Sequence, residues 1–204
     1  MSKANWVNVN PASGSGNKTV NVTSVASNTG RNSRSTTLTI TAADCEDVSI
    51  AVNQAGRPEY VANDSETATA IKQGQTVTIS GKSNSSKLTF SIGASGNTLG
   101  LVAPESYTAG GVSTANGAAI TGDPGANQEY NWSVQFIIPK NETIDALSAQ
   151  VIVTDDAGHT STCTITQAAG DAYLTVSVES VDLGWEGTTA VSFNVSSNTS
   201  WTIS

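Results

Sequence analysis

Apolar and small polar residues alternate with a period of two along most of the chain, a pattern that puts apolar side chains on one face of a strand. The early runs are Val20 and Val22; Leu38 and Ile40; Val48, Ile50 and Val52; Val77 and Ile79; Leu88, Phe90 and Ile92. The longest is Tyr130, Trp132, Val134, Phe136 and Ile138. Later come Val151 and Val153; Cys163 and Ile165; Leu174, Val176 and Val178; Val191, Phe193 and Val195. Gly, Asn, Asp and Ser punctuate the runs, as turns require. Short strands between frequent turns predict an all-β chain of antiparallel β-sandwiches. Only Ile144 to Ala149 has the pattern of a helical turn.

The chain also repeats itself. Residues 37–56 read TLTITAADCEDVSIAVNQAG and residues 150–170 read QVIVTDDAGHTSTCTITQAAG. At an offset of 113, Leu38 meets Val151, Ile40 meets Val153, Ile50 meets Cys163 and Val52 meets Ile165. Each copy is a hairpin around an acidic turn, ending in Gln and Gly, and is read as the last two strands of a sandwich. The boundaries then fall near Gly56 and Gly170, giving units 1–56, 57–170 and 171–204, of which the middle one is a whole sandwich.

The two outer units carry a family resemblance. Residues Tyr173 to Trp201 resemble the first half of a BACON domain, the small Ig-like module of Bacteroidetes proteins. Residues Trp6 to Gly56 resemble its second half, through the Pro11-Ala12-Ser13-Gly14 turn, the Arg34 to Ile40 strand and the terminal Gln54. A 34-residue piece is below the ~40 residues at which a core usually stands alone. Residues 171–204 are therefore expected to complete 1–56, either within the chain or between chains by strand exchange. Trp6, Trp201, Val191, Phe193 and Val195 are the candidate complementation residues, with Trp6 and Trp201 resembling duplicates of one strand position.

Composition narrows the chemistry. A formal charge of −8 with only nine Lys and Arg excludes the basic clusters that nucleic acid or anionic membrane would reward. One His and two Cys leave little for a metal centre or a triad, and no catalytic motif occurs, so the expectation is a non-enzyme with no cofactor and no metal site. Cys45 and Cys163 are too unlike in setting to predict a disulfide; Cys163 reads as a small buried hydrophobe. Asp44, Glu46 and Asp47, like Asp155, Asp156 and His159, read as solvated turns, because neither set has the ligand series of a calcium loop. Trp6, Trp132 and Trp201 lie in strand patterns and read as core. Trp185, between Gly184 and Gly187, and Tyr107, in the Gly-rich stretch after Pro104, are the candidate glycan or interface contacts. Residues 93–128 read as a long loop, most irregular over 104–125, that carries a contact surface.

The start of the chain has no basic-then-apolar leader pattern, and the expectation drawn is assembly in a host cytoplasm. BACON-like domains occur in crAss-like bacteriophages of Bacteroidetes. The resemblance thus implies a virion structural protein, a capsid auxiliary (decoration) or head-fibre component. Its partners would be the major capsid protein, fibre subunits or itself, with weak glycan binding. The alternative it implies is a carbohydrate- or mucin-binding module on a bacterial cell surface, reached through an export signal.

Overall fold

The computed structural model describes residues 3–187 and 189–204; Met1, Ser2 and Thr188 lie outside the described residues. The chain is all-β, and its one helical element among the described residues is a 3-10 turn over Pro124–Ala126. Ile144 to Ala149 is not helical: it runs through a bend into a strand that needs its extended backbone for pairing.

The first unit holds two separate hairpins. Strands β1 (Val7–Asn10) and β2 (Asn21–Ser24) pair antiparallel, and so do β3 (Arg34–Ile40) and β4 (Val48–Gln54). The middle unit holds β5 (Val61–Asn63), β6 (Thr67–Ala70), β7 (Gln75–Ser83), β8 (Leu88–Ile92), β9 (Ser106–Ala109), β10 (Val112–Ala115), β11 (Tyr130–Ile138), β12 (Leu147–Asp155) and β13 (Thr160–Gln167). They form two sheets, ordered β10-β9-β11-β7-β5 and β6-β13-β12-β8. The runs β5-β7-β11-β9 and β8-β12-β13 follow the ABED and CFG orders of an immunoglobulin sandwich. As in that fold, the first strand is split, and its second piece, β6, pairs parallel with the last strand β13.

Alternation builds the core of this sandwich. Tyr130, Trp132, Val134, Phe136 and Ile138 all face inward along β11, opposite Phe90, Val151, Val153, Cys163 and Ile165 on the other sheet. Phe90 meets Trp132 edge-on at 5.4 Å and Tyr107 at 5.0 Å between ring centroids. Each such side chain contributes roughly 1.5–3 kcal/mol when fully buried.

The 93–128 segment is more ordered than its composition predicts. Gly110 and Gly111 both adopt positive φ, 56° and 84°, and close the β9–β10 hairpin. That two-residue turn matches the right-handed twist of the strands it joins. Ile120 is buried, Leu99 and Leu101 pack on the core, and Asn116 bonds both backbone groups of Phe90. The segment adds two short strands, β9 and β10, to one sheet, and its remaining turns are held by core contacts and hydrogen bonds.

The last unit contains β14 (Leu174–Val176) and β15 (Val195–Ser197), paired antiparallel. Val191 and Phe193 precede β15 outside the ladder. The equivalent strand β7 is nine residues long because β11 pairs along its whole length, and β15 has no such neighbour.

Candidate functional site: the unit joints and the open sheet faces

The repeat seen in sequence is present atom by atom. In the first unit Asn28 Nδ2 donates to Asn32 O (2.7 Å) and Ala55 O (3.2 Å), Gly30 N donates to Asn28 Oδ1, and Arg57 N donates to Gly30 O. In the middle unit Asn141 Nδ2 donates to Asp145 O (2.7 Å) and Ala168 O (3.0 Å), Thr143 N donates to Asn141 Oδ1, and Gly170 N donates to Thr143 O. Every partner is displaced by 113 positions. Asn28 and Asn141 are both buried, so each amide pins a corner that water cannot satisfy.

A second Asn holds each joint. Asn84, fully buried, donates through Nδ2 to Thr29 O, Arg57 O and Pro58 O, and accepts from Tyr60 N at 3.0 Å. Asn198 donates to Glu142 O and Asp171 O and accepts from Tyr173 N, also at 3.0 Å. The adjoining serines match too: Ser83 Oγ donates to Tyr60 O and Ser197 Oγ to Tyr173 O. The last unit therefore enters its fold as the middle unit does, and the first unit ends as the middle unit ends. The middle sandwich is the template for both.

The first joint has further reinforcement. Arg31 donates through Nε to Asn84 O and pairs with Asp123, while Arg31 N and Asn32 N donate to Gly125 O and Ala126 O. A Cβ on Gly30 would fall on the Asn127 backbone, so only glycine permits this approach. Arg57 lies 3.5 Å over the Tyr60 ring, whose hydroxyl donates to Glu129 at 2.7 Å. That bond, with Lys82 and Arg57 nearby, lowers the Glu129 carboxyl from its ordinary 4.5; burial and the same bond push Tyr60 up to about 12. At the second joint Lys72 pairs with Asp171 at 2.5 Å.

The two joints lie at opposite poles of the middle sandwich. The β7–β11 ladder runs from Ser83–Tyr130 at the first to Gln75–Ile138 at the second. Nine paired residues at ~3.4 Å each separate them by roughly 30 Å. No ladder, hydrogen bond or ion pair joins residues 3–56 to 171–204 among the described residues. Completion of the first unit by the last within one chain is not formed in this structure.

Both outer units consequently present apolar faces. Ile40, Val48 and Ile50 are exposed in the first; Leu174, Val191, Phe193 and Trp201 are exposed in the last, with Val195 half-buried. The middle-unit counterparts of Ile40, Ile50, Leu174, Val191 and Phe193, which are Val153, Cys163, Val61, Val77 and Ile79, are core residues. Trp6 is half-buried with the Arg34 guanidinium 4.8 Å over its ring. Trp6 and Trp201 are not duplicates: Trp201 answers Lys87, ahead of β8, whereas Trp6 precedes β1, which flanks β2 as β9 flanks β11. Of the three tryptophans read as core, Trp132 is fully buried, whereas Trp6 and Trp201 belong to faces that residues 3–56 and 171–204 leave uncovered.

Among the proposed contact residues, Trp185 is 94% exposed on a Gly184–Gly187 turn. Tyr107 is a correction. It is 3% exposed, packs on Phe90 and accepts Leu88 N through its hydroxyl, because the β9–β10 hairpin turns it into the core. Cys163 is buried and Cys45 exposed, both as free thiols. The acidic turn is structural: buried Asp155 accepts from His159 N and pairs with its Nδ1. Beside it, Lys87 and Ser86 hold the Asp156 carboxyl below its ordinary range. No group of three His, Cys, Asp or Glu among the described residues is arranged to hold a metal ion. Among the described residues, no helix is long and apolar enough to cross a membrane.

No curated protein matches the chain. A family model does match its opening unit, and its description is of a binding rather than a catalytic domain. Residues 1–55 match the model of the BACON family, described as "Putative binding domain, N-terminal".

Proposed function

We propose that the protein is a non-enzymatic structural and contact subunit, a short rod of Ig-like units held in fixed succession, of the capsid-auxiliary or fibre kind in a bacteriophage virion. The observation that carries this reading is the repeated joint. Asn84 and Asn198 make the same bonds to the preceding unit, so successive units follow one another with one geometry. Amides bonded in matching ways at the two joints, Asn84 fully buried and Asn198 half-buried, favour a stiff spacer over a flexible linker. The binding-domain family of residues 1–55 supports a role in contact. Small-angle scattering of the chain tests the rod: one elongated, rigid particle is expected, and a distribution of bent shapes contradicts it. Mass spectrometry of purified virions tests the setting, where the protein is expected at high copy number.

Trp185 favours a second reading, carbohydrate binding at a bacterial surface. An indole this exposed offers a flat face to a sugar ring. A mucin pull-down with Trp185→Ala separates the two. Retention that is strong and lost in the variant supports the carbohydrate module; equal, weak retention supports the structural subunit.

A further inference from the structure

We infer that residues 171–204 of one copy complete residues 3–56 of a second copy, joining chains head to tail. The inference deepens the rod reading and rests on it. The middle sandwich specifies which strands meet. There, β7 pairs with β11, β8 with β12, and β6 lies parallel beside β13. The first unit holds the equivalents of β11, β12 and β13 in β2, β3 and β4. The last unit holds the equivalents of β5 in β14, of β6 in residues 180–183, of β7 in residues 189–197, and of the start of β8 in residues 202–204. Within residues 3–204, each half holds the equivalents of strands absent from the other.

Individual atoms make the same point. Gln167 Nε2 donates to Pro139 O (2.7 Å) and to Ile71 O (3.1 Å), bridging the two halves of the middle unit. Its counterpart Gln54 donates to Ala26 O, the equivalent of Pro139. The equivalent of Ile71 is Gly184, at the far pole of the same molecule. The turns agree: Gly74 N donates to Ile71 O and Gly187 N to Gly184 O, both glycines with positive φ. Likewise Asn141 N donates to Lys72 O, which places Trp185 O opposite Asn28 N in the joined unit. Trp185 would then sit at the junction, where Lys72 sits in the middle unit.

The faces and charges are complementary. Val77 and Ile79 are core residues, while their equivalents Val191 and Phe193 are exposed and would cover Leu38, Ile40, Ile50 and Val52. The last unit carries Asp171, Glu179, Asp182 and Glu186 with no Lys or Arg; the first has the opposite, smaller balance, Lys3, Lys18, Arg31 and Arg34 against Asp44, Glu46 and Asp47. Because the poles are opposite, the contact is heterologous and propagates into an open chain or closes as a ring.

The test uses two full-length variants. Val191→Asp with Phe193→Asp blocks the last unit's face; Leu38→Asp with Ile50→Asp blocks the first unit's. Sedimentation at micromolar concentrations is expected to show higher oligomers for the unaltered chain and monomers for each variant. An equimolar mixture of the variants should give a capped 1:1 dimer, which also shows that their open faces remain folded. A second readout is Gln54→Cys with Gly184→Cys in a Cys45→Ser background, expected to form a disulfide between chains. An unaltered chain that stays monomeric, a mixture without the dimer, or ill-defined aggregates lacking the crosslink overturn the inference. A monomer that still scatters as a rigid rod would leave the proposed function standing.

Discussion

The hairpins β3–β4 and β12–β13 are one sequence pattern in two surroundings. Their registers agree: Leu38 opposes Ile50 as Val151 opposes Cys163. Yet Cys163 is 1% exposed and Ile50 is 47% exposed. Strand pairing and the amide-pinned corner are local, so both copies have them. Burial is not local. In the middle unit β11 and β7 bring Trp132, Phe136 and Ile79 across the inner face; within residues 3–56 the β1–β2 hairpin answers β9 and β11, but no strand answers β7. A hairpin thus acquires its form from its own alternation and its energy from the sheet opposite.

Substitutions at equivalent positions should split widely. Ile165→Ala is expected to cost about 2–5 kcal/mol by chemical denaturation, through lost contacts and a cavity. Val52→Ala, its counterpart, should stay within about 0.5 kcal/mol under dilute conditions, since its face is open. Equal losses would mean that the first unit's face is already covered.

The joints give the next contrast. Asn84→Ala leaves several buried backbone groups without partners and is expected to cost about 1–3 kcal/mol. Asn198→Ala removes equivalent bonds at a half-buried site and should cost less, with its amide signals in 171–173 showing the loosening by NMR. A larger effect at Asn198 would invert the template relation between the units.

Acid should loosen the first joint. The folded Glu129 carboxyl is depressed, chiefly by the Tyr60 hydrogen bond, so its contribution is full above its ordinary 4.5. It is lost as pH falls from that value through the lowered folded one. Glu129→Gln should flatten this pH dependence, read from the amide shifts of Thr29 and Tyr60. The smallest effect on stability is expected for Trp185→Ala, within about 0.5 kcal/mol of the unaltered chain when dilute, given its exposure.

Much of this was legible in the residues. Alternation located ten of the fifteen strands, and the 113-residue offset found the repeated hairpin; β1, β5, β6, β9 and β10, each of three or four residues, are too short to show the period. It did not reveal that Asn28 matches Asn141 or Asn84 matches Asn198, because a buried amide and a surface one look alike until their partners are placed. Those asparagines are the signal that could have located the joints: Asn28 and Asn141 fall on the 113-residue repeat, and Ser83-Asn84-Ser85 is answered by Ser197-Asn198-Thr199. Tyr107 was misassigned for a related reason. The flanking composition is rich in Gly, Ala and Thr, so the Gly110-Gly111 turn that makes the hairpin, and so buries the ring, reads as loop. The position of Val191 and Phe193 outside a ladder was not legible either, because it depends on a neighbour strand at the other pole.

Amide hydrogen exchange followed over a dilution series tests the central claim most directly. Residues 61–167 should exchange at one rate throughout, since their sandwich is whole. Residues 20–54 and 174–203 should gain protection together as concentration rises, because each half acquires the sheet it lacks from another copy. Protection in the two outer units that is independent of concentration, or that rises in one without the other, would contradict the account.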